Sequence, residues 1–298
     1  MVAMDNPLKK RLALIKARAN RMKQTRLVDG VKQSAETDSA PDEFETLPAM
    51  PEGRLEDLVR GEVHQIADRQ FYLARYRGCE IDEVADGEAV RFLAAAGEQR
   101  ATSNNPVEGS PVGPAPIQAA KDKVCFFDIE TAGLTPNTYV FLCGMMFLEG
   151  DEFVFEQAFA RDYEEEGGML HYVRHKFEDF DALVTYNGRS FDVPFVRTRM
   201  AVNRIDFEER FRHVDLLYFA RRAYSGVLDN CKLQTVEYHL RAQGRTGDIP
   251  GSRIPAAYHD YVRTGQAGLM ARVIYHNQMD LLTMAILYNQ LWPGTSAG

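Results

Sequence analysis

From residue 121 onward, apolar and polar positions fall into blocks that read as strands followed by helices. "KVCFFDIE" is a short, nearly continuous apolar run and reads as a buried strand. "YVFLCGMMFLEGDEFVFEQAFA" reads as two strands folded about a Gly-Asp turn, a hairpin signal. "EEEGGMLHYVRHKFEDF" has helical spacing, and "DALVTYN" reads as another buried strand. "FDVPFVRTRMAVN" reads as a helix because Pro194 falls in its first turn, where a missing N–H costs nothing. "FRHVDLLYFARRAY" runs from strand into helix, and "KLQTVEYHL" and "GLMARVIYHNQMDLLTMAILYNQLW" are helices by spacing. An antiparallel start followed by strand, helix, strand and further helices predicts a mixed α/β sheet flanked by helices over residues 121–294.

The first 120 residues follow a different pattern. Leu8, Leu12, Ile15, Ala19 and Met22 form the apolar stripe of a helix within residues 1–33. Its other face is basic, with Lys9, Lys10, Arg11, Lys16, Arg18 and Arg21 among its charges. Two readings stay open: an arm that touches phosphates or docks on a protein partner, or a helix packed on its own domain. Residues 34–54 and 101–120 are rich in Pro, Ser and other turn formers and read as linkers. Between them, "GEVHQIADRQFYLARYR" holds two β-like runs. With "EAVRFLAAAGE" they predict a small N-terminal, β-rich appendage over residues 55–100. No internal repeat stands out.

Composition narrows the class only modestly. The chain has 298 residues, 45% of them hydrophobic and 26% charged, as in an ordinary globular protein large enough for one big domain or a domain with an appendage. A formal net charge of -8 excludes a surface that is basic throughout, but not a local basic groove. Cys79, Cys125, Cys143 and Cys231 lack zinc-ligand spacing and read as core residues in a reducing compartment. The basic start has no apolar signal core, and no run is long enough for a membrane span. The expectation is a soluble cytoplasmic protein.

Acids in unusual positions carry the chemistry. In "CFFDIETAGL", Asp128 and Glu130 end a core strand two residues apart, so they share a face and repel each other. In "TYNGRSFDVPF", Asp192 follows a strand and a Gly-containing turn; it could cap the next helix, yet a cap alone does not require Asn187 and Gly188 beside it. In "IYHNQMDLLTM", His276 and Asp280 lie four apart on one helix face, as a local pair or as part of a site. Four carboxylates suit hard divalent cations, two of which can clamp the attacking and leaving oxygens of a phosphoryl displacement. A neutral imidazole can take the proton from the attacking water.

"FDIETAGL", "TYNGRSFDVPF" and "HNQMD", in that order, resemble the three motifs of the DEDD 3′–5′ exonuclease superfamily on an RNase H-like fold. The proofreading domains of family B polymerases carry a similar Y-N-x-x-x-F-D second motif. Within the superfamily the YprB-like ribonuclease H-like group is the nearest resemblance, through "HNQMD" with "LLTMAILY" and through "HVDLLYFARRAY…CKLQTVEYHL". It spans roughly residues 121–292. The resemblance implies two Mg²⁺ or Mn²⁺ ions: Asp128 bridges both, Glu130 and Asp280 help hold the ion that activates water, and Asp192 serves the other. It also implies substrate contacts at Thr131, Asn187, Gly188, Phe191 and Asn277, with the 3′ ends of single-stranded DNA or RNA as partners. The superfamily places a base His five residues before the last Asp or a Tyr four before it; here His276 is four before and Tyr275 five before. On a regular helix the fourth residue lies about 40° from Asp280 and the fifth about 140° away, so an intact helix selects His276 and an irregular one Tyr275.

Two functions therefore compete: a metal-dependent 3′–5′ exonuclease, and a module on the same fold that holds nucleic-acid ends or a protein partner with weak or no catalysis. A purely structural metal site fits less well, because such sites close their coordination shell with protein ligands.

Overall fold

The computed structural model describes residues 52–66, 68–81, 112, 123–150, 152–242, 244, 245 and 247–292. The basic helix expected within residues 1–33, nearly all of both linkers and the run at 88–98 lie outside the described residues.

A short helix α1 (Leu55–Leu58) leads into strands β1 (Glu62–Ile66) and β2 (Arg69–Arg77). Then come β3 (Val124–Thr131), β4 (Val140–Glu149), β5 (Glu152–Phe159), α2 (Glu166–Phe177), β6 (Ala182–Thr185) and α3 (Asp192–Val202). The chain continues through β7 (Arg212–Asp215), α4 (Leu216–Tyr224), α5 (Leu233–Arg241), α6 (Ile254–Thr264) and the long α7 (Gly268–Leu291). All seven strands join one sheet in the order β1-β2-β5-β4-β3-β6-β7. β3, β4 and β5 pair antiparallel, while β3, β6 and β7 run parallel. This is the mixed sheet flanked by helices that the hydrophobic pattern predicts.

The hairpin turns where Gly-Asp marks it: Glu149 pairs with Glu152, and Gly150 takes a left-handed φ of 65° that its missing Cβ makes easy. The two β-like runs expected in an appendage are β1 and β2, and they extend this same sheet, β2 pairing with β5 from Tyr72–Phe159 to Arg77–Val154. Helix α6 has no counterpart in the sequence reading, and its Ile254, Ala257, Tyr258 and Tyr261 are buried. Tyr258 stacks on Phe141 of β4 with ring centroids 3.9 Å apart.

Alternation along β3 divides the core. Cys125, Phe127 and Ile129 pack with α2 and α3, while Phe126 packs with α4, α5 and the C-terminal half of α7. Burying a phenylalanine such as Phe127 stabilises the fold by about 1.5–3 kcal/mol. The same alternation puts Asp128 and Glu130 on the face that α7 crosses, because α7 packs over β3 and β4. A β-bulge after Glu130 bends the strand just beyond the two acids. Among the described residues no helix is long and apolar enough to cross a membrane.

Candidate active site

The carboxyl ends of the parallel strands β3, β6 and β7 point to one edge of the sheet, and the expected acids arrive there from three directions. Asp128 and Glu130 come from β3, Asp192 from the first residue of α3 after the β6 loop, and Asp280 from the middle of α7. Asp192 does not cap its helix. The amide of Ile129 donates to Asp192 Oδ1 at 3.2 Å, which stitches α3 to β3 between the two strand acids.

Crowding shows in the proton affinities. Burial raises the Asp128 carboxyl well above its ordinary value, and Asp280, Asp192 and Glu130 add to the rise while His276 opposes it. Glu130 is raised well above its ordinary value by burial, then by Asp280, Asp192 and Asp248, against Arg245. Burial takes Asp192 to about 7, with its own amide and that of Ile129 pulling down and Asp215 and Asp280 pushing up. Among the described residues no three His, Cys, Asp or Glu side chains already close around one point as a metal group. What the fold assembles is a cluster of like charges, three of its four acids still part-exposed, rather than a finished coordination shell. An all-oxygen donor set with raised proton affinity fits Mg²⁺ or Mn²⁺, which keep water ligands of their own.

Asn277 holds Asp128 in place. Its Nδ2 donates to Asp128 Oδ2 at 2.9 Å, and its Oδ1 accepts from Gln157 Nε2 at 2.8 Å. Gln157 Nε2 also donates to the Ile274 carbonyl at 2.8 Å. Asp128, Gly144 and Gln157 lie side by side across β3, β4 and β5, and α7 rests on this row. Gly144 makes the approach possible, since a Cβ there would stand 1.9 Å from Asn277 Oδ1. Asn277 is fully buried, and its side-chain amide is engaged by these partners.

The other expected substrate residues divide. Thr131 is buried and donates its hydroxyl to the Gly133 carbonyl at 2.7 Å. Gly188 meets an internal need: a Cβ would stand 2.4 Å from Thr185 Oγ1. Phe191 is half-buried against Phe195, ring centroids 5.3 Å apart, and Asn187 is exposed with φ 65°. Asn187 is tied down by Asp215, whose carboxylate accepts from the amides of Asn187 at 2.8 Å, Arg189 at 3.1 Å and Leu217 at 3.0 Å. Asp215 thus joins the β6 loop to the start of α4. Its one visible sequence signal is an Asp at a strand-to-helix junction.

Helix α7 is unbroken through residues 275–280, and Tyr275 packs against the apolar cluster of α4 and α5. His276 faces the acids. Its Nε2 lies 3.5 Å from Asp280 Oδ2, and its Nδ1 lies 2.8 Å from Asp248 Oδ1. A carboxylate only accepts, so the Nδ1 proton points at Asp248 and Nε2 of the neutral ring is left as the acceptor. Burial works against charge on His276, yet Asp248 and Asp280 raise its pKa above the ordinary value. Asp248 itself, which burial alone would raise, is lowered by His276 and Arg245. The sequence reading missed both Asp248 and Arg245. Arg245 donates to Asp280 Oδ1, to Glu237 at 2.7 Å and to Asp248 at 3.3 Å. Both lie in a loop without periodicity, and only the tertiary approach of α5 and α7 gives them partners.

Comparison with known proteins bears on this arrangement. A protein of Bacillus subtilis (strain 168), "Uncharacterized protein YprB", is 34% identical over 173 residues, covering 56% of this chain and 41% of that protein. The chain thus spans less than half the length of that relative. The family B DNA polymerase from the hyperthermophilic archaeon Pyrobaculum calidifontis aligns at a TM-score of 0.45 and 19% identity, over 57% of this chain and 24% of the polymerase. A family model described as RNase_H superfamily matches residues 125–292, the span from the first core residue of β3 to the end of α7. That span is more than half of the chain and contains all four acids, and the chain belongs to the RNase_H superfamily.

Proposed function

We propose that the protein is a metal-dependent 3′–5′ exonuclease that hydrolyses terminal phosphodiesters of single-stranded or frayed nucleic acid. Membership of a superfamily typical of nucleases supports the general class. The observation that carries the finer reading is the meeting of Asp128, Glu130, Asp192 and Asp280, with the first three raised in proton affinity by burial and by Asp280, beside an oriented histidine. Two divalent cations held by these acids would supply Lewis-acid stabilisation of the charge that develops on the leaving 3′ oxygen.

The chain's own residues do the rest. Asn277 and Gln157 keep Asp128 in one orientation, and the Ile129 amide keeps Asp192 in another. Asp248 holds the Nδ1 proton of His276, which leaves Nε2, on the side of Asp280, as the nitrogen that would accept a proton from the attacking water. Asn187, exposed, and Phe191, half-buried, would border the strand end that enters. A second reading, an end-binding module with weak catalysis, draws on the engagement of Asp280 by Arg245.

Oligonucleotides with a free or a phosphate-blocked 3′ end, incubated with Mn²⁺, distinguish the two. Trimming of the free end alone, abolished by EDTA and reduced at least about a hundredfold in His276→Ala, is the expected result. Binding of both substrates without trimming would favour the module.

A further inference from the structure

Arg245 is an unusual neighbour for a metal site. Its side chain is 4% exposed, so its charge is committed to the protein interior. Its guanidinium makes four hydrogen bonds through all three nitrogens. Nε donates to Glu237 Oε2 at 2.7 Å, Nη1 to the His276 carbonyl at 3.2 Å and to Asp248 Oδ2 at 3.3 Å, and Nη2 to Asp280 Oδ1. Glu237 is itself buried in the middle of α5 and takes a second bond from Arg241 at 3.2 Å. Arg245 is therefore anchored from behind by Glu237 and reaches forward to one oxygen of Asp280. The other oxygen, Oδ2, faces His276 Nε2 at 3.5 Å.

We infer that Arg245 is a resident cation of the acid cluster, a positioning residue that neutralises Asp280 in the absence of metal and holds its Oδ1 so that Oδ2 alone is offered to an incoming divalent ion. The inference rests on the metal reading of the site proposed above. Its logic is electrostatic. Several carboxylates gathered in a buried place repel one another, and a fixed guanidinium lets the chain fold before any ion arrives. The same positive charge opposes the ion that binds beside it, so the ion at Asp280 is held more loosely than one held by Asp128 and Asp192. Arg245 thereby trades metal affinity at one position for integrity of the metal-free fold.

The test uses the full chain and Mn²⁺. Wild type, Arg245→Gln and Arg245→Lys are titrated calorimetrically with Mn²⁺ and melted in EDTA and in saturating Mn²⁺. The double variant Arg245→Gln/Glu237→Gln removes the carboxylate that the single change would strand, and so keeps a folded sample available. In the glutamine variants the weaker Mn²⁺ site tightens about tenfold, and the loss of melting temperature seen in EDTA is largely recovered by Mn²⁺. Lys, which keeps the charge, leaves Mn²⁺ affinity near that of wild type. Unchanged or weaker Mn²⁺ affinity in the glutamine variants, with an equal melting loss in EDTA and Mn²⁺, overturns the inference and leaves the exonuclease reading standing. Wild type that binds no Mn²⁺ at all overturns both.

Discussion

Gly144 is the place where a single methyl group reaches the acid cluster without touching an acid. Its absent Cβ leaves room for Asn277 Oδ1, and Asn277 in turn fixes Asp128. Gly144→Ala forces the amide aside, so it should lower stability by about 1–3 kcal/mol and reduce cleavage by more than that loss explains. Adding Asn277→Ala removes the clashing atom. The double variant should regain much of the stability, measured by urea unfolding, while cleavage stays low because Asp128 has lost its anchor. Recovery of both together would show that Gly144 acts through bulk packing alone. Asp248 belongs to the same scale. Asp248→Asn can still bond the His276 ring but can present an N–H to Nδ1, which permits the opposite tautomer. The account expects kcat to fall by about ten- to a hundredfold with little change in KM, read from steady-state cleavage.

At the scale of elements, the site depends on the sheet's shape being held from behind. Glu166 at the start of α2 and Arg199 of α3 form a buried pair, with Nη2 donating to Oε2 at 2.7 Å and Nε to Oε1 at 2.9 Å. Glu166 also accepts from the Val140 amide at 2.9 Å, and so fastens the beginning of β4. Arg199 lies over the Tyr139 ring, 4.9 Å from its centroid. Arg199→Leu strands a buried carboxylate and should cost about 3 kcal/mol by denaturant unfolding. Glu166→Gln/Arg199→Leu should recover part of that; a neutral single variant would contradict the role given to the pair.

Elements also show what could be read in advance. The strand over Cys125–Phe127, the hairpin at Gly150 and helix α7 were legible because their periodicity is set by long apolar runs. That His276 rather than Tyr275 lies beside Asp280 was legible in part: with α7 intact, a fourth-residue neighbour faces Asp280 and a fifth does not. The roles of Asn277, Asp248 and Arg245 were not legible. Asn277 sits inside a helix with no sign that a glycine far earlier in the chain, Gly144, leaves it room, and the other two lie in a loop whose partners come from α5 and α7. The joining of β1 and β2 to the main sheet escaped for a similar reason, since pairing to β5 is a long-range choice that local β-propensity does not encode.

For the whole molecule, the acid cluster links stability to pH and metal. Burial and neighbouring acids raise Asp192 to about 7 and raise Asp128 and Glu130 well above the ordinary carboxylate value in the metal-free fold. His276 is raised as well, burial opposing and Asp248 and Asp280 prevailing. In each case the folded chain binds more protons than the unfolded chain between the two pKa values, so stability falls as pH rises through that window. Melting temperature in EDTA should therefore drop as pH rises from about 4 to 7, the window set by Asp192, while saturating Mn²⁺, which takes the protons' place, flattens the curve. A melting temperature that rises with pH in EDTA would contradict the charge distribution described.

The most direct measurement follows 5′-labelled single-stranded DNA and RNA with Mn²⁺, wild type beside Asp128→Asn. The account predicts products shortened one nucleotide at a time from the 3′ end by wild type, on at least one of the two nucleic acids, and no such ladder from Asp128→Asn. Intact substrate in both reactions, or an identical ladder from both, would contradict it.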